Sequence, residues 1–287
     1  MTRTELWFNE YHTKDVCFSF RVTRQLFSEK SDFQQIDIFE TPEFGRALIL
    51  DGIIMCTEKD EFVYHDMIVH VPLAVNPAIR SVLLIGGGDG GALRELCRYD
   101  GIESIDMVEI DETVIEAAKK YLPTLASSFD DPRVRVKIAD GLRYVRRKED
   151  AYDLIIVDST DPFGPGESLF TKEFYGNCYK ALTADGIVVN QHESPFYGQE
   201  AREAKLTHRR MKSVFDVSKV YQAHIPTYPS GHWLFGFSSK GLDPIRDFKP
   251  AEWLKFGLDT KYYNVDLHTG AFMLPTYVRH LIGEEHA

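Results

Sequence analysis

Cysteine is scarce in this chain. Cys17, Cys56, Cys97 and Cys178 are spread over 287 residues, with no Cys-x-x-Cys pair and no histidine nearby at ligand spacing, so neither a disulfide framework nor a metal site is expected. Cys97 and Cys178 fall in helical patterns and read as packing residues. Positive charge is also in deficit. Thirty-three lysines and arginines against 44 acids leave a formal net charge of -11, which argues against a nucleic-acid partner and favours a neutral or cationic one. No apolar run approaches membrane-spanning length, and the polar start Met1-Thr2-Arg3-Thr4-Glu5 lacks the apolar core of a signal sequence; a cytoplasmic protein without membrane contact is expected. Internal repeats, low-complexity tracts and linkers are lacking too.

What is present is organised around Ser81-Val82-Leu83-Leu84-Ile85-Gly86-Gly87-Gly88-Asp89-Gly90-Gly91-Ala92. A short run of mostly branched apolar residues without polar alternation reads as a fully buried strand, and the glycines force a tight turn into the helical pattern Ala92 to Cys97. Strand, glycine turn and helix N-terminus together make a nucleotide cradle, because glycine lets backbone approach a ligand and the first helical N–H groups face it. Some 20 residues on, Glu109 ends a second apolar strand, where a carboxylate can accept from both ribose hydroxyls. Asp89 sits inside the glycine turn and would repel a phosphate, which favours an adenosyl ligand with a cationic tail. Taken alone, Asp89 also reads as a helix cap.

Along the chain, residues 1–59 have strand and turn character and form a small antiparallel β domain. Within it, Asp51-Gly52 between two apolar runs signals a two-residue hairpin, and Gln34 reads on its own as the solvent face of an alternating strand. Asp60 to Val71 reads as a helix with Val63, Met67 and Val71 on one stripe, ended or kinked by Pro72. Tyr64 and His65 lie on it and gain interest only if it borders a cleft. Strands and helices then alternate: strands at Ser104–Glu109, Val134–Ile138, Tyr152–Asp158 and Gly186–Gln191, helices at Glu112–Tyr121, Leu142–Arg147, Thr171–Leu182 and Ala201–Phe215. Two further strands, Val217–Tyr221 and Trp233–Phe237, flank a turn-rich loop, and one short helix is expected near Ala251 to Phe256. This order predicts that residues 60–287 form an α/β domain: a parallel sheet with right-handed crossovers, helices on both faces, and ligands beyond the carboxyl ends of its strands. Asp89, Glu109, Asp140, Asp158 and Gln191 all fall at that edge. The loop Asp158 to Glu167, with two prolines and two glycines, is expected to hold no helix and to bring Asp158 and Asp161 toward one small ligand.

Several motifs in joint order resemble one family. Gly86 to Gly91, Val108-Glu109-Ile110-Asp111, Asp140-Gly141, Asp158-Ser159-Thr160-Asp161-Pro162 with Gly164-Pro165, and Ile225 to Gly231 look like the polyamine aminopropyltransferases, most closely those that make spermidine. The likeness runs from Trp7-Phe8 to Ala271-Phe272 and covers nearly the whole chain. It implies a Rossmann-like sheet of the class I methyltransferase-like kind, and transfer of an aminopropyl group from decarboxylated S-adenosylmethionine to putrescine, giving spermidine and methylthioadenosine. The donor is a co-substrate, so no cofactor is implied. An ammonium cannot attack carbon, and an amine with a pKa of roughly 10 is mostly protonated near neutrality, so a base is needed; Asp158 is the candidate. The leaving group departs as a neutral thioether, so no general acid is needed.

By the same resemblance Gln34, Glu109, Asp140, Gly141 and Pro165 would bind the methylthioadenosine part, and Asp89 the ammonium of the donor's tail. His65, Ser159, Thr160, Asp161, Gln191 and Tyr228 would line the acceptor site together with Asp89 and Asp158, Tyr64 and Tyr228 would orient groups near Asp158, and Glu193 would face the acceptor's far ammonium. A homodimer or homotetramer built on the amino-terminal strands is implied as well. His192, between Gln191 and Glu193, departs from the small residue expected there and is read as pointing to solvent. Three other readings stand beside this one: a methyltransferase on the same sheet, a nicotinamide-dependent oxidoreductase, which Asp89 disfavours, and a polyamine-binding sensor without turnover.

Overall fold

The computed structural model describes residues 5–160 and 164–284. Its amino-terminal part is antiparallel throughout. β1 (Leu6–Thr13) pairs with β2 (Val16–Val22), and β3 (Arg24–Lys30), β4 (Gln35–Thr41), β5 (Gly45–Leu50) and β6 (Ile53–Thr57) form a four-stranded sheet in chain order. Asp51 and Gly52 join β5 to β6 with φ of 49° and 82°, the left-handed pair that a two-residue hairpin needs. Strand alternation then gives this sheet two apolar faces. Ile36, Ile38, Leu48 and Leu50 pack toward the next domain, while Ala47, Ile49 and Ile54 pack beneath Phe20 of the hairpin.

α1 (Glu61–Val75) links the two parts and is buried on every side except at Phe62, so the single apolar stripe expected there is corrected. Pro72 neither ends it nor stops it short: the helix runs one residue short of Asn76, whose N–H donates to the Pro72 carbonyl. A proline inside a helix costs about 3 kcal/mol or more. Burial of the whole last turn, Val71 to Val75, offsets it.

The larger part alternates as expected: β7 (Ser81–Gly86), α2 (Gly91–Cys97), β8 (Ser104–Glu109), α3 (Glu112–Tyr121), β9 (Val134–Ile138), α4 (Gly141–Val145), β10 (Tyr152–Asp158), α5 (Lys172–Ala181), β11 (Leu182–Gln191), α6 (Gly198–Lys212), β12 (Val217–His224) and β13 (His232–Ser239). The seven strands lie in the order β12-β13-β11-β10-β7-β8-β9, and β13 alone runs against the others. The fold is therefore α/β with a mostly parallel sheet. One core forms between the sheet and the α1 and α2 side, a second between the sheet and α5. Chain order reverses at β7, which has β8 on one side and β10 on the other, and such a switch point opens a crevice at the carboxyl edge.

Two expectations need correction here. The segment after β10 does hold helical structure, a 3-10 helix over Gly164–Phe170; a proline near a helix start forfeits no internal hydrogen bond, and short 3-10 turns tolerate it. The carboxyl-terminal region holds more helix than the one expected: α7 (Pro250–Trp253), α8 (Val265–Ala271), capped by the Asn264 side chain accepting from the Leu267 N–H, and α9 (Thr276–Ile282). No helix among the described residues is long and apolar enough to cross a membrane.

Candidate active site

The crevice at the switch point is a cavity of about 210 Å³, floored by the ends of β7, β8 and β10 and walled by α1, the end of β11 and the amino-terminal strands. Its centre is a main-chain weld. Asp158 and Gly86 are register partners, the Gly87 N–H donates to the Asp158 carbonyl at 2.8 Å, and Gly86 has a φ of 81°. A Cβ on Gly86 would sit 2.0 Å from that carbonyl oxygen, so only glycine fits.

Above the weld stands a charged cluster. His65 places Nδ1 2.6 Å from Glu61 and Nε2 3.4 Å from Asp89, and Gly91 leaves room for its ring, since a Cβ there would lie 2.1 Å from His65 Cε1. Arg94 donates to both oxygens of Glu61, at 3.0 and 2.9 Å. Burial works to lower the His65 pKa, but Asp89 and Glu61 outweigh it and hold the ring as an imidazolium. Asp89 accepts the Gly91 N–H at 2.6 Å, so it caps the turn and faces the cavity at once; although burial opposes its charge, His65 and that N–H keep its pKa low.

Asp158 is different. His65, Asp89 and Asp158 offer atoms within 4.8 Å of one another, yet Asp158 Oδ2 is buried with no hydrogen-bond partner among the described residues. Burial first and the Asp89 charge second push its pKa up to about 6, against the opposing pull of His65 and the Tyr64 hydroxyl. Tyr64 and Tyr228 face each other across the cavity with ring centroids 6.1 Å apart, and the Tyr228 hydroxyl donates to the Met55 carbonyl. Burial raises both phenols well above their usual range, so both stay protonated.

At the other end Glu109 accepts the Ile110 and Asp111 N–H groups at 2.7 and 3.0 Å, and burial still pushes its pKa up to about 7. Gln34 is buried beside it and donates to Asp111 at 3.1 Å; it lies just before β4, which explains why strand alternation did not place it in solvent. Asp140 caps α4 by accepting from the Arg143 N–H, and Gly141 packs so closely on Ile85 that a Cβ would come within 2.5 Å.

The cavity thus brings together Gln34, Tyr64, His65, Asp89, Glu109, Asp140, Gly141, Asp158, Ser159, Thr160, Gln191 and Tyr228, residues drawn from sites 194 positions apart at the extremes, 228 minus 34. Asp161 and the side chain of Pro165 lie outside the described residues. Glu193 lines the cavity as well, with Gln191 donating to it at 2.9 Å. His192 does not: it is fully buried on the opposite face of the sheet, so the solvent-facing expectation is corrected. Sequence reasoning also missed Glu10, Tyr11 and His12 of β1, Glu200 of α6 and Trp233 of β13, which complete the wall. The alternation of β1 could have flagged Glu10, a carboxylate on the buried face of a strand that accepts the Ile54 N–H at 2.7 Å.

A switch-point cavity with a glycine turn, and with carboxylates at the ends of its strands, places the chain in the methyltransferase-like α/β fold class. Residues 61–249 match the spermine/spermidine synthase domain and residues 6–58 the spermidine synthase tetramerisation domain. The chain is 63% identical over 281 residues to a polyamine aminopropyltransferase of Clostridium botulinum (strain Alaska E43 / Type E3), covering 98% of this chain and 99% of that protein. It is 62% identical to one of Alkaliphilus oremlandii (strain OhILAs), with the same coverage. Among solved structures it resembles a spermidine synthase in complex with the transition state analogue AdoDATO, at a TM-score of 0.95 and 47% identity over 99% of this chain and 97% of that one. Spermidine synthase from Thermotoga maritima gives 0.93 and 46% over 99% and 96%. The chain belongs to the spermine/spermidine synthase family and is an aminopropyltransferase. Its tetramerisation domain marks it for oligomerisation.

Proposed function

We propose that this chain transfers the aminopropyl group of decarboxylated S-adenosylmethionine to putrescine, forming spermidine and methylthioadenosine. Glu109 accepts from the ribose hydroxyls, Asp140 with Gly141 and Pro165 holds the adenine, and Gln34 closes that end. Asp89 receives the ammonium of the aminopropyl tail. A donor that kept its carboxylate would bring a negative charge to this acid, which favours the decarboxylated form. The acceptor lies along His65, Ser159, Thr160, Asp161, Gln191 and Tyr228, with Glu193 toward its far ammonium.

Asp158 takes the proton from the attacking amine, oriented by Tyr64 and Tyr228. The observation that carries this is the state of Asp158: half-buried, with its Oδ2 buried and unpartnered among the described residues and a pKa pushed up to about 6, joined by main chain to the glycine turn. A base of that strength is still ionised at neutral pH and is stronger than an ordinary aspartate. The amine nitrogen forms its new bond to the methylene carbon as the carbon–sulfur bond breaks and the sulfonium leaves as a neutral thioether. Rate comes from holding nitrogen, carbon and sulfur in line and removing one proton. The reading requires no resident cofactor.

The test is an amine competition. Purified protein receives decarboxylated S-adenosylmethionine with putrescine, cadaverine, agmatine and spermidine together, and products are separated by mass. Spermidine in amount equal to methylthioadenosine is the expected result. Another dominant product would retain the chemistry and overturn the acceptor, and binding without any transfer would favour a sensor.

A further inference from the structure

His192 sits between two cavity residues yet faces away from the cavity. Side chains alternate along an extended chain, so Gln191 and Glu193 turn to one side and His192 to the other. The corner they form is unusual. Glu193 has a φ of 71°, a left-handed conformation that non-glycine residues seldom adopt. Gln191 donates to the Glu193 carboxylate at 2.9 Å and accepts the Glu193 N–H at 3.0 Å, so the two side chains are clasped into one unit. The pairing with β13 continues here through the His192 N–H to the Leu234 carbonyl and the Leu234 N–H to the Glu193 carbonyl, at 2.8 and 3.1 Å.

Behind this corner the imidazole occupies a fitted slot. Gly236 of β13, register partner of Asn190, forms one side: a Cβ there would lie 2.1 Å from His192 Cε1 and 2.6 Å from the Asn190 side-chain oxygen. His208 of α6 forms another, with ring centroids 6.1 Å apart. Both His192 ring nitrogens are buried without a well-aligned hydrogen-bond partner among the described residues, and the Gln191 backbone bears on the ring only weakly, so its fit to the slot is what chiefly places it. Burial, helped by His208, pushes its pKa down to about 3, so the ring is neutral wherever the enzyme works.

We propose that His192 is a positioning residue: wedged between Gly236 and His208, it fixes the strained corner that presents Gln191 and Glu193, and so sets how tightly the acceptor amine is held. The inference rests on the reading above that these two residues face the acceptor. It separates the two substrates, because the donor end is built on the β7 and β8 turns, which His192 does not touch.

The experiment is steady-state kinetics on three variants, after putrescine transfer by the unaltered protein has been measured. A misplacement of the order of 1 Å can cost up to about a hundredfold, so H192A is expected to raise the acceptor KM about tenfold while donor KM and kcat stay within about twofold. G236A, whose methyl meets the ring, should raise it similarly. In H192A/G236A the methyl no longer meets the ring, though it still meets the Asn190 oxygen, and the acceptor KM should fall below that of G236A. Should H192A fail to fold, H192L keeps an apolar filling of comparable bulk and is expected to retain a near-normal acceptor KM, with G236A still supplying the loss. An unmoved acceptor KM in H192A or G236A, a joint shift of kcat and both KM values, or a double variant no better than G236A would overturn the proposal. Failure of the unaltered protein to use putrescine would sink the function reading and this proposal together, whereas normal transfer with an unmoved KM sinks this one alone.

Discussion

Helix α1 contributes a histidine to each of two clusters in which one imidazole is set among acids, and the first of them faces the cavity. His65 lies with Glu61, Asp89 and Asp158; one helical turn and a residue further on, His70 lies with Asp66 and Glu95, its Nε2 3.2 Å from Glu95 and 3.6 Å from Asp66. Both rings are buried, and in both the acids overcome burial and raise the imidazole pKa. The difference lies in the carboxylates. His70 Nε2 makes no hydrogen bond among the described residues and meets its acids as ion pairs, but Asp66 accepts the N–H groups of Lys261, Tyr262 and Tyr263 and Glu95 is bonded by Arg94 and Arg98, so both acids of the second cluster have donors and tie the carboxyl-terminal segment to the core. The first leaves Asp158 Oδ2 unbonded beside a cavity. Acids supplied with donors stabilise the fold, whereas a carboxylate left without one beside a cavity is the group placed to meet a ligand.

The largest effect should come from removing that carboxylate. Asp158→Asn is expected to lower turnover by roughly a thousandfold while donor binding, read by calorimetry, persists. The same variant should be more stable than the parent. The folded pKa of about 6 lies above the ordinary 3.8, so the stability this group contributes is full below pH 3.8 and is lost as pH rises through 6. At pH 7 the buried carboxylate then costs up to about 3 kcal/mol, and Asn relieves it; a urea midpoint below the parent's would break the comparison.

The sealed cluster should respond in the opposite sense. Asp66→Ala strands His70 and the 261–263 turn, and loss of one partner from a buried pair costs about 3 kcal/mol or more, read as a lower urea midpoint. Kinetic constants of the folded fraction should stay within about twofold. A selective rise in either KM would show that the two clusters are not independent.

Asp89→Asn should fall between them. It removes a charge-assisted contact worth about 2–3 kcal/mol, so donor affinity is expected to drop about a hundredfold with a smaller change for putrescine. Equal losses for both substrates would move Asp89 out of the donor site. The smallest effect is set by pH: kcat/KM for the acceptor should fall about tenfold per unit below pH 6, as Asp158 takes up its proton, and in Asp66→Ala that inflection should not move.

Much of this arrangement can be read from sequence because the parallel strands are short apolar runs, each ending in its own polar residue at one edge. Asp89, Glu109, Asp140, Asp158 and Gln191 follow from that pattern. Other parts depend on contacts between distant segments. Glu10, Tyr11 and His12 belong to a strand held to the cavity by contacts such as that of Glu10 with Ile54, 44 positions on, and no local period reports that. Gln34 looks solvated until Asp111 is placed beside it. Pro72 reads as a helix stop because the burial that overrides it comes from other elements. His192 needs Gly236, 44 positions away by subtraction, before its slot exists.

The weld between Gly86, Gly87 and Asp158 carries one more consequence. The offset between the glycine turn and Asp158 belongs to the polypeptide backbone, fixed by sheet register and a 2.8 Å hydrogen bond, and side-chain substitution elsewhere cannot retune it. The wall around Glu10, Glu193, Glu200 and Trp233, by contrast, is assembled from side chains on separate elements. Substitutions can therefore reshape that wall one side chain at a time, while the spacing between the two turns is inherited with the backbone.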